Sequence, residues 1–333
     1  MKIGILFGGN SQEHEISIIS AFQLKKRIEN KYDVYMLYLD FNNNLYDASK
    51  VSLNNFKSNK IKGLKKTRFV NNGIKRKKLD CVILCNHGEN GEDGIAAALC
   101  NFYRIPFVGS DLFASSCAID KWKSYLYLSS NGINMINSQL YTYDDYLNNK
   151  ELFEYPIIAK PIKGGSSIGI FVANNEEEFH VNIKKYISRE TEYIIQKFYS
   201  GVEEYNLAIT SKGFSSLEQI IKKDSYFSFD NKYNESFKQM HQKMHSDENK
   251  IDFEEIGRRV YDLLGCSGII RIDFFKIDSD IYVNEINIIP GALAMYLFND
   301  FDEVLNAEIE KSIHKNKVIY EKGMFLSKSD IQK

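Results

Sequence analysis

The sequence predicts an α/β protein whose first lobe is built on a parallel sheet, and three observations carry that prediction. Short β-prone apolar runs, KIGILF (2–7), VYMLYL (34–39) and CVILC (81–85), alternate with helical patterns, the order of a strand–helix–strand lobe. The first and third runs lead into glycine-containing polar loops, GGNSQEHE and NHGENGEDG. Parallel α/β sheets hold ligands at such places, beyond the carboxyl ends of their strands. The 333 residues suffice for two or three lobes at roughly 100–200 residues each.

The elements follow in order. A helical pattern runs from about Glu15 to Ile28, another from about Gly94 to Tyr103, and a short strand at 106–108 completes a first lobe over 1–110. A second lobe, 111–205, holds a helix at 120–130, the strand YPIIAK, a Gly-Ser loop and the strand YIIQKF. A third, 206–333, holds a polar segment at 222–250, a helix at 253–264 and a hairpin at 268–288. The polar segment is too long for a tight connection and has the character of a mobile lid or binding loop.

Composition narrows the function. Hydrophobic content of 44% and charged content of 26% are those of a soluble globular chain. A net charge of -1 offers no pull on nucleic acid or an anionic membrane. No apolar run approaches the ~18 residues that span a bilayer, and MKIGILFGG reads as a buried strand rather than a signal peptide. Five irregularly spaced cysteines form neither a disulfide framework nor a zinc site. A reducing cytoplasm fits this pattern.

The segment GIIRIDFFKIDSDIYVNEINIIPG has the most chemistry in it. Two β-prone runs flank Asp278-Ser279-Asp280, which reads as a turn. Strand side chains alternate faces. A turn centred on Ser279 sets Asp273 opposite Glu285 and Arg271 opposite Asn287, with Ile270, Ile272, Phe274, Ile286 and Ile288 on the other face. Facing carboxylates repel. Either this is a solvated polar face, or a hard divalent cation turns the repulsion into a site, with phosphate oxygens completing its shell.

YPIIAKPIKGGSSIG places a strand before a glycine-serine loop. Gly164 and Gly165 allow successive N–H groups to converge on one anion, Ser166 and Ser167 add hydroxyl donors, and Lys160 adds a charge. The plain alternative is an ordinary turn. Lys121, opening a helix, is either an exposed lysine or a second phosphate contact. In the first-lobe loops, Asp93 reads as the N-cap of the next helix, and His87 is a candidate to touch substrate. Glu15 is favoured in a first helical turn by the macrodipole and is also suited to an ammonium group. His241 and His245 lack a third ligand and read as solvated.

Taken together, ILFGGNSQEHEIS, NHGENGEDG, IPFVGS with AIDKWKS, AKPIKGGSSIG, KFYSGVEEY, DNKY and RIDFFKIDSDIYVNEINIIPG resemble, in order and from Gly4 to about Tyr296, the D-alanine–D-alanine ligase family of the ATP-grasp superfamily. The resemblance implies an ATP-grasp fold, with a Rossmann-like first lobe followed by two α+β lobes that clasp ATP. It implies ATP and two Mg²⁺ ions, Mn²⁺ being an expected substitute. It places Lys121, Lys160, Ser166 and Ser167 on the ATP phosphates, Gln196 at adenine, Lys197 among the ATP-binding residues, and Glu203 or Glu204 at the ribose. Asp273, Glu285 and Asn287 would ligate metal, while Arg271 and the Gly291 N–H would stabilise the acyl phosphate and the tetrahedral oxyanion. Glu15 would anchor the first amino acid's ammonium beside His87, with Ser166 close by. Lys232 and Tyr233 would belong to the lid at 222–250, and a homodimer is expected.

The family's PGFT-x-x-S-M-Y reads PGALAMY here, two residues shorter, with Ala294 where a serine holds the second substrate's carboxylate. Gln196 replaces a common Glu, Ser124-Tyr125 a common Thr-Lys, and Ser228 an Asp before the Lys-Tyr pair. Three functions are then in view. The first is a dipeptide ligase of the D-alanyl-D-alanine type, acting through an acyl phosphate in peptidoglycan precursor synthesis. The second is a paralogue with another acceptor (a different amino acid, a hydroxy acid or an amino sugar). The third is a nucleotide-binding protein without turnover.

Overall fold

In a computed structural model, the structure describes residues 1–57, 61, 63–152, 154–165, 168–221, 241–244 and 250–315. The first sheet begins with β1 (Lys2–Gly8), β2 (Asp33–Leu39), β3 (Leu45–Asp47) and β4 (Lys65–Lys66). Three two-residue strands, β5 (Phe69–Val70), β6 (Gly73–Ile74) and β7 (Lys77–Lys78), form a separate small sheet. The first sheet then resumes with β8 (Cys81–Leu84) and β9 (Phe107–Val108), giving the order β4-β3-β2-β1-β8-β9. β2, β1, β8 and β9 pair parallel, whereas β3 and β4 add antiparallel at one edge. Every residue of β1 after Lys2 is buried, and so is all of β8. That is why both read as unbroken apolar runs: a parallel strand covered on both faces has no polar side.

Helix α1 (His14–Ile28) follows β1, with Ile18, Ala21, Leu24 and Ile28 facing the core. After α2 (Leu53–Lys57) comes α3 (Ile95–Phe102), which starts one residue later than expected. Asp93 is not its N-cap. Gly94 holds that position in a left-handed conformation, while the Asp93 carboxylate accepts from the N–H groups of Asn90 and Ile95 at 2.8 and 3.0 Å. The aspartate pins the preceding loop instead.

The next helices are α4 (Leu112–Ile119) and α5 (Lys121–Ser130), capped by Asp111 and Asp120. An antiparallel sheet then takes the order β10-β13-β11-β12, from β10 (Ser138–Tyr141), β11 (Ile157–Pro161), β12 (Phe171–Ala173) and β13 (Tyr193–Lys197). α6 (Tyr143–Leu147) and α7 (Glu176–Ile183) accompany it, and Phe179 and Ile183 help form its own small core. The last sheet, order β16-β15-β14-β17-β18, comprises β14 (Glu203–Ile209), β15 (Leu217–Ile220), β16 (His241–Met244), β17 (Ile270–Ile277) and β18 (Asp280–Asn287). α8 (Lys250–Leu263) and α9 (Phe301–Lys315) complete the described chain. One continuous apolar core joins the first sheet to this last one through residues such as Ile5, Ile83, Ile270 and Phe301. Among the described residues no helix is long and apolar enough to cross a membrane.

The hairpin reaches the expected pairing by an unexpected path. Ile277 pairs with Asp280, so the turn is the two residues Asp278 and Ser279, with Asp278 at φ 55°. A simple ladder from that turn would put Asn284 opposite Asp273 and push Glu285 into the core. A bulge intervenes: Phe274 pairs with Val283, Asp273 with Glu285, and Arg271 with Asn287. Asn284 is the extra residue, and it returns Glu285 to the polar face.

Candidate active site

The three larger sheets surround one cleft of about 2110 Å³. β17 and β18 form one wall. Their buried face carries Ile270, Ile272, Phe274, Val283 and Ile286, and the open face presents Arg271, Asp273, Glu285 and Asn287. Arg271 forks onto Asp273, its Nε and Nη2 donating at 2.6 and 2.8 Å, and Asn287 Nδ2 donates to the same carboxylate at 3.1 Å. Burial alone would pull the guanidinium pKa down. Asp273 more than offsets this, aided by Tyr296 and Glu218, so Arg271 sits above its ordinary value and stays charged.

Two carboxylates and one amide oxygen on a single open face form a donor set suited to a hard cation. Among the described residues no three His, Cys, Asp or Glu side chains cluster as a self-sufficient metal site.

Lysines converge on this face from two directions. Lys121, the first residue of α5, lies 3.2 Å from Glu285 Oε1 and donates to the Gly164 carbonyl at 2.8 Å. Lys160, near the end of β11, donates to Asn284 Oδ1 at 3.1 Å and is 9% exposed. The bulge thus has a second consequence, since the residue it adds holds a lysine over the cleft. Gln196 and Lys197 line the same cleft from β13, with Gln196 Nε2 donating to Ser138 Oγ at 2.9 Å. Of the two β14 glutamates, Glu204 lines the cleft, whereas exposed Glu203 accepts from the Tyr205 hydroxyl at 2.8 Å.

Two expected positions need correction. Glu15 is exposed and does not line the cleft. It lies two residues along from Glu13, which does: a Cβ built on Gly165 would meet Glu13 Oε1 at 2.9 Å, and one on Gly88 would meet Oε2 at 3.8 Å. The carboxylate of Glu13 lies between the loop after β8 and the glycine loop after β11. It precedes the helix, so the macrodipole argument that favoured Glu15 did not point to it. Ala294 is fully buried against Ala208 and Leu297, away from the cleft wall. Met295 and Tyr296 line the cleft in its place, and the Tyr296 hydroxyl donates to Glu218 Oε2 at 2.9 Å. Glu218 also accepts from Asn206 Nδ2 at 3.1 Å. Burial pushes the Tyr296 phenol pKa up, Arg271 pulls against it and Glu218 adds to the rise, so the phenol stays protonated. Sequence reasoning did not find Glu218, Asn206 or Tyr296. The one available signal was short: Glu204 and Asn206 alternate with Tyr205 and Leu207 on β14, and Glu218 follows an apolar residue on β15.

His87 is 3% exposed, at the start of the loop after β8, and lines the cleft. Burial is the largest influence on its pKa and lowers it. Glu13 and the Ile289 carbonyl oppose the shift, and Arg271 adds to it. Its Nε2 lies 2.9 Å from Ser20 Oγ. Gly291 opens a short turn, Gly291–Leu297, in which Ala292, Leu293 and Ala294 all adopt left-handed backbone, with φ of 47, 53 and 50°. Left-handed residues with a Cβ cost roughly 1–2 kcal/mol each, so this turn persists only because its surroundings hold it. Ser166, Ser167, Lys232 and Tyr233 lie outside the described residues, as do most of 222–250.

The fold and the cleft define a ligase of the ATP-grasp class, with lysines, a carboxylate pair and a glycine loop meeting between two antiparallel sheets. Family profiles described as D-ala D-ala ligase N-terminus and D-ala D-ala ligase C-terminus match residues 2–110 and 127–310. The chain belongs to the D-alanine–D-alanine ligase family. It is 35% identical to a D-alanine–D-alanine ligase of Campylobacter jejuni, covering 95% of this chain and 96% of that one. It is also 35% identical to one from Helicobacter pylori, with 98% of each covered. Among solved structures, a Helicobacter pylori D-alanine–D-alanine ligase superposes with a TM-score of 0.78 at 34% identity, over 93% of this chain and 98% of that one. The VanG D-Ala:D-Ser ligase of Enterococcus faecalis superposes with a TM-score of 0.77 at 25% identity, over 94% and 99%.

Proposed function

We propose that this chain joins two molecules of D-alanine into D-alanyl-D-alanine, converting ATP to ADP and phosphate. The observation that carries the reading is the meeting of Lys121, Lys160, Arg271 and the Asp273–Glu285–Asn287 set in one cleft of a ligase-family chain. Asp273, Glu285 and Asn287 would hold Mg²⁺, which when bound supplies charge neutralisation on the transferring phosphoryl group.

The protein's own residues do the rest by position and field. Lys121 bridges the glycine loop and Glu285, so it sits where a γ-phosphate would lie between them. Lys160, held by Asn284, lines the same cleft from β11. Glu13, beside Gly165 and His87, takes the role first expected of Glu15: its carboxylate pairs with the ammonium of the first amino acid. That amino acid's carboxylate oxygen attacks the γ-phosphorus, an O–P bond forms, and ADP leaves. The amine of the second amino acid then attacks the acyl phosphate, the C–N bond forms, an amine proton is lost and phosphate departs. Arg271 and the Gly291 N–H stabilise the oxyanion of that step.

The reading includes a cytoplasmic homodimer and lobe boundaries near 110 and 205. Its test is ADP release with Mg·ATP and D-alanine alone, with the product identified by mass. D-alanyl-D-alanine is the expected product, and turnover that appears only when a second compound is added overturns the proposal.

A further inference from the structure

The strained turn after Gly291 is held by a residue that takes no part in the chemistry just described. Ser20, on α1, is 4% exposed, and its Oγ accepts from the Ala292 N–H at 3.1 Å and meets His87 Nε2 at 2.9 Å. A serine hydroxyl has one proton and two lone pairs. One lone pair takes the Ala292 N–H, and the hydroxyl keeps a second lone pair and its own proton for the contact with His87 Nε2, in which the tautomer of the ring sets the donor. His87 also faces the Ile289 carbonyl, on the other side of Gly291. Ser20 and His87 therefore grip the chain on both flanks of Gly291.

We infer that Ser20 is a positioning residue: through Ala292 and His87 it keeps the left-handed turn in place and so aims the Gly291 N–H at the reacting carbonyl. Two independent features support the inference. Three successive residues with a Cβ lie in left-handed backbone, a conformation the chain leaves when released. Within the turn, the Leu293 N–H donates to the Pro290 carbonyl at 2.7 Å, but the Ala292 N–H has its bond to Ser20. The first left-handed residue is thus anchored to α1, while Gly291, directly before it, stays open to the cleft.

The inference rests on the proposed ligase reaction, so the wild-type protein is assayed first with D-alanine, and the structural effect is read separately. The variants are Ser20→Ala, Ser20→Cys and Ser20→Thr. Cysteine keeps the size but is a weak acceptor, and threonine keeps the hydroxyl. In the alanine and cysteine variants kcat is expected to fall about 10- to 100-fold, short of the ~10²–10³ seen when an oxyanion donor is removed outright. The KM for ATP should stay within about twofold, because the phosphate lysines are untouched. Threonine should restore most of the rate. Amide hydrogen exchange of Gly291–Leu293 should quicken in the alanine and cysteine variants and not in threonine. If Ser20→Ala does not fold, Ser20→Cys, which leaves no void, carries the test. Wild-type kcat in a folded Ser20→Cys variant, or exchange at Gly291–Leu293 unchanged from wild type, overturns the inference. An inactive wild-type protein would refute the ligase reading, and the exchange measurement would still decide the role of Ser20.

Discussion

Asp273→Asn separates two roles that the geometry gives one carboxylate. Asp273 is the counter-charge of Arg271 and one of the three oxygen donors facing the cleft. The side chains of Arg271 and Asp273 are 14% and 21% exposed, so solvent screens the pair only partly. Opposite charges about 4 Å apart attract by ~4 kcal/mol at an effective dielectric of 20. Asparagine keeps one acceptor for the fork, so the expected loss of stability is about 2–3 kcal/mol, below the ~3–5 kcal/mol of breaking a buried pair completely. Denaturant unfolding measures it. The ligand role shows in a different quantity. Mg·ADP at about 100 times its Kd adds ~2.7 kcal/mol to the wild-type protein by mass action, which is roughly 4 °C in Tm for a chain of 333 residues. Thermal unfolding with and without Mg²⁺ in the presence of ADP should show that shift in the wild-type protein and little of it in Asp273→Asn, with ADP release lowered by about 10²–10³. A variant that loses stability yet keeps the full Mg²⁺-dependent shift would show that Asp273 only neutralises Arg271, and the metal assignment would fail.

Glu13→Gln should raise the KM for D-alanine at least about tenfold, the worth of ~1.4 kcal/mol of charge-assisted contact, whereas Glu15→Gln should stay within about twofold because its side chain faces solvent. Steady-state kinetics of the two variants decide between the two glutamates. His87→Gln should alter the pH dependence of stability. Burial depresses the folded-state pKa of His87 below its ordinary 6.5, so the unfolded chain binds the extra proton first. Wild-type stability therefore falls as the pH drops below about 6.5, and the glutamine variant should lose less over that range in urea titrations; parallel curves would contradict the assignment. Ala294→Ser should not improve binding of the second substrate. It buries a hydroxyl against Ala208 and Leu297, at a cost of about 1–3 kcal/mol, and a lowered KM for the acceptor would refute the placement.

Features set by periodicity could be read from the residues. The unbroken burial of β1 and β8 made both strands visible as apolar runs, and the alternation Ile270, Ile272, Phe274 against Arg271, Asp273 exposed the polar face of β17. The pairing of Asp273 with Glu285 was foreseen on a wrong premise. A three-residue turn and a two-residue turn plus a bulge give the same partners beyond the bulge, and period-two reasoning does not distinguish them. The difference matters, because the residue that the bulge adds, Asn284, is the one that accepts from Lys160. The antiparallel additions β3 and β4, two or three residues long, were hidden in a polar stretch, since strands that short have too few positions to show alternation.

The PGALAMY segment shows where motif matching stops. Matching by residue type sets Ala294 in a serine's place and reads a lost contact. The backbone shows something else: with two residues fewer, the chain turns through three left-handed residues, which carries Ala294 into the core and brings Met295 and Tyr296 to the cleft. The hydroxyl near Arg271 then belongs to Tyr296, whose partner Glu218 arrives from β15 across the sheet. A residue's neighbours in this turn are set by φ angles that sequence spacing does not encode, so its pocket chemistry can be read only after the turn is built. Tyr296→Phe, which removes the hydroxyl and keeps the ring, should raise the acceptor KM about 2- to 13-fold, corresponding to ~0.5–1.5 kcal/mol for one hydrogen bond and more if Glu218 is left short of a donor. Ala294→Gly should change that KM by less than about twofold. The opposite ranking would return the acceptor contact to position 294 and undo the account of the turn.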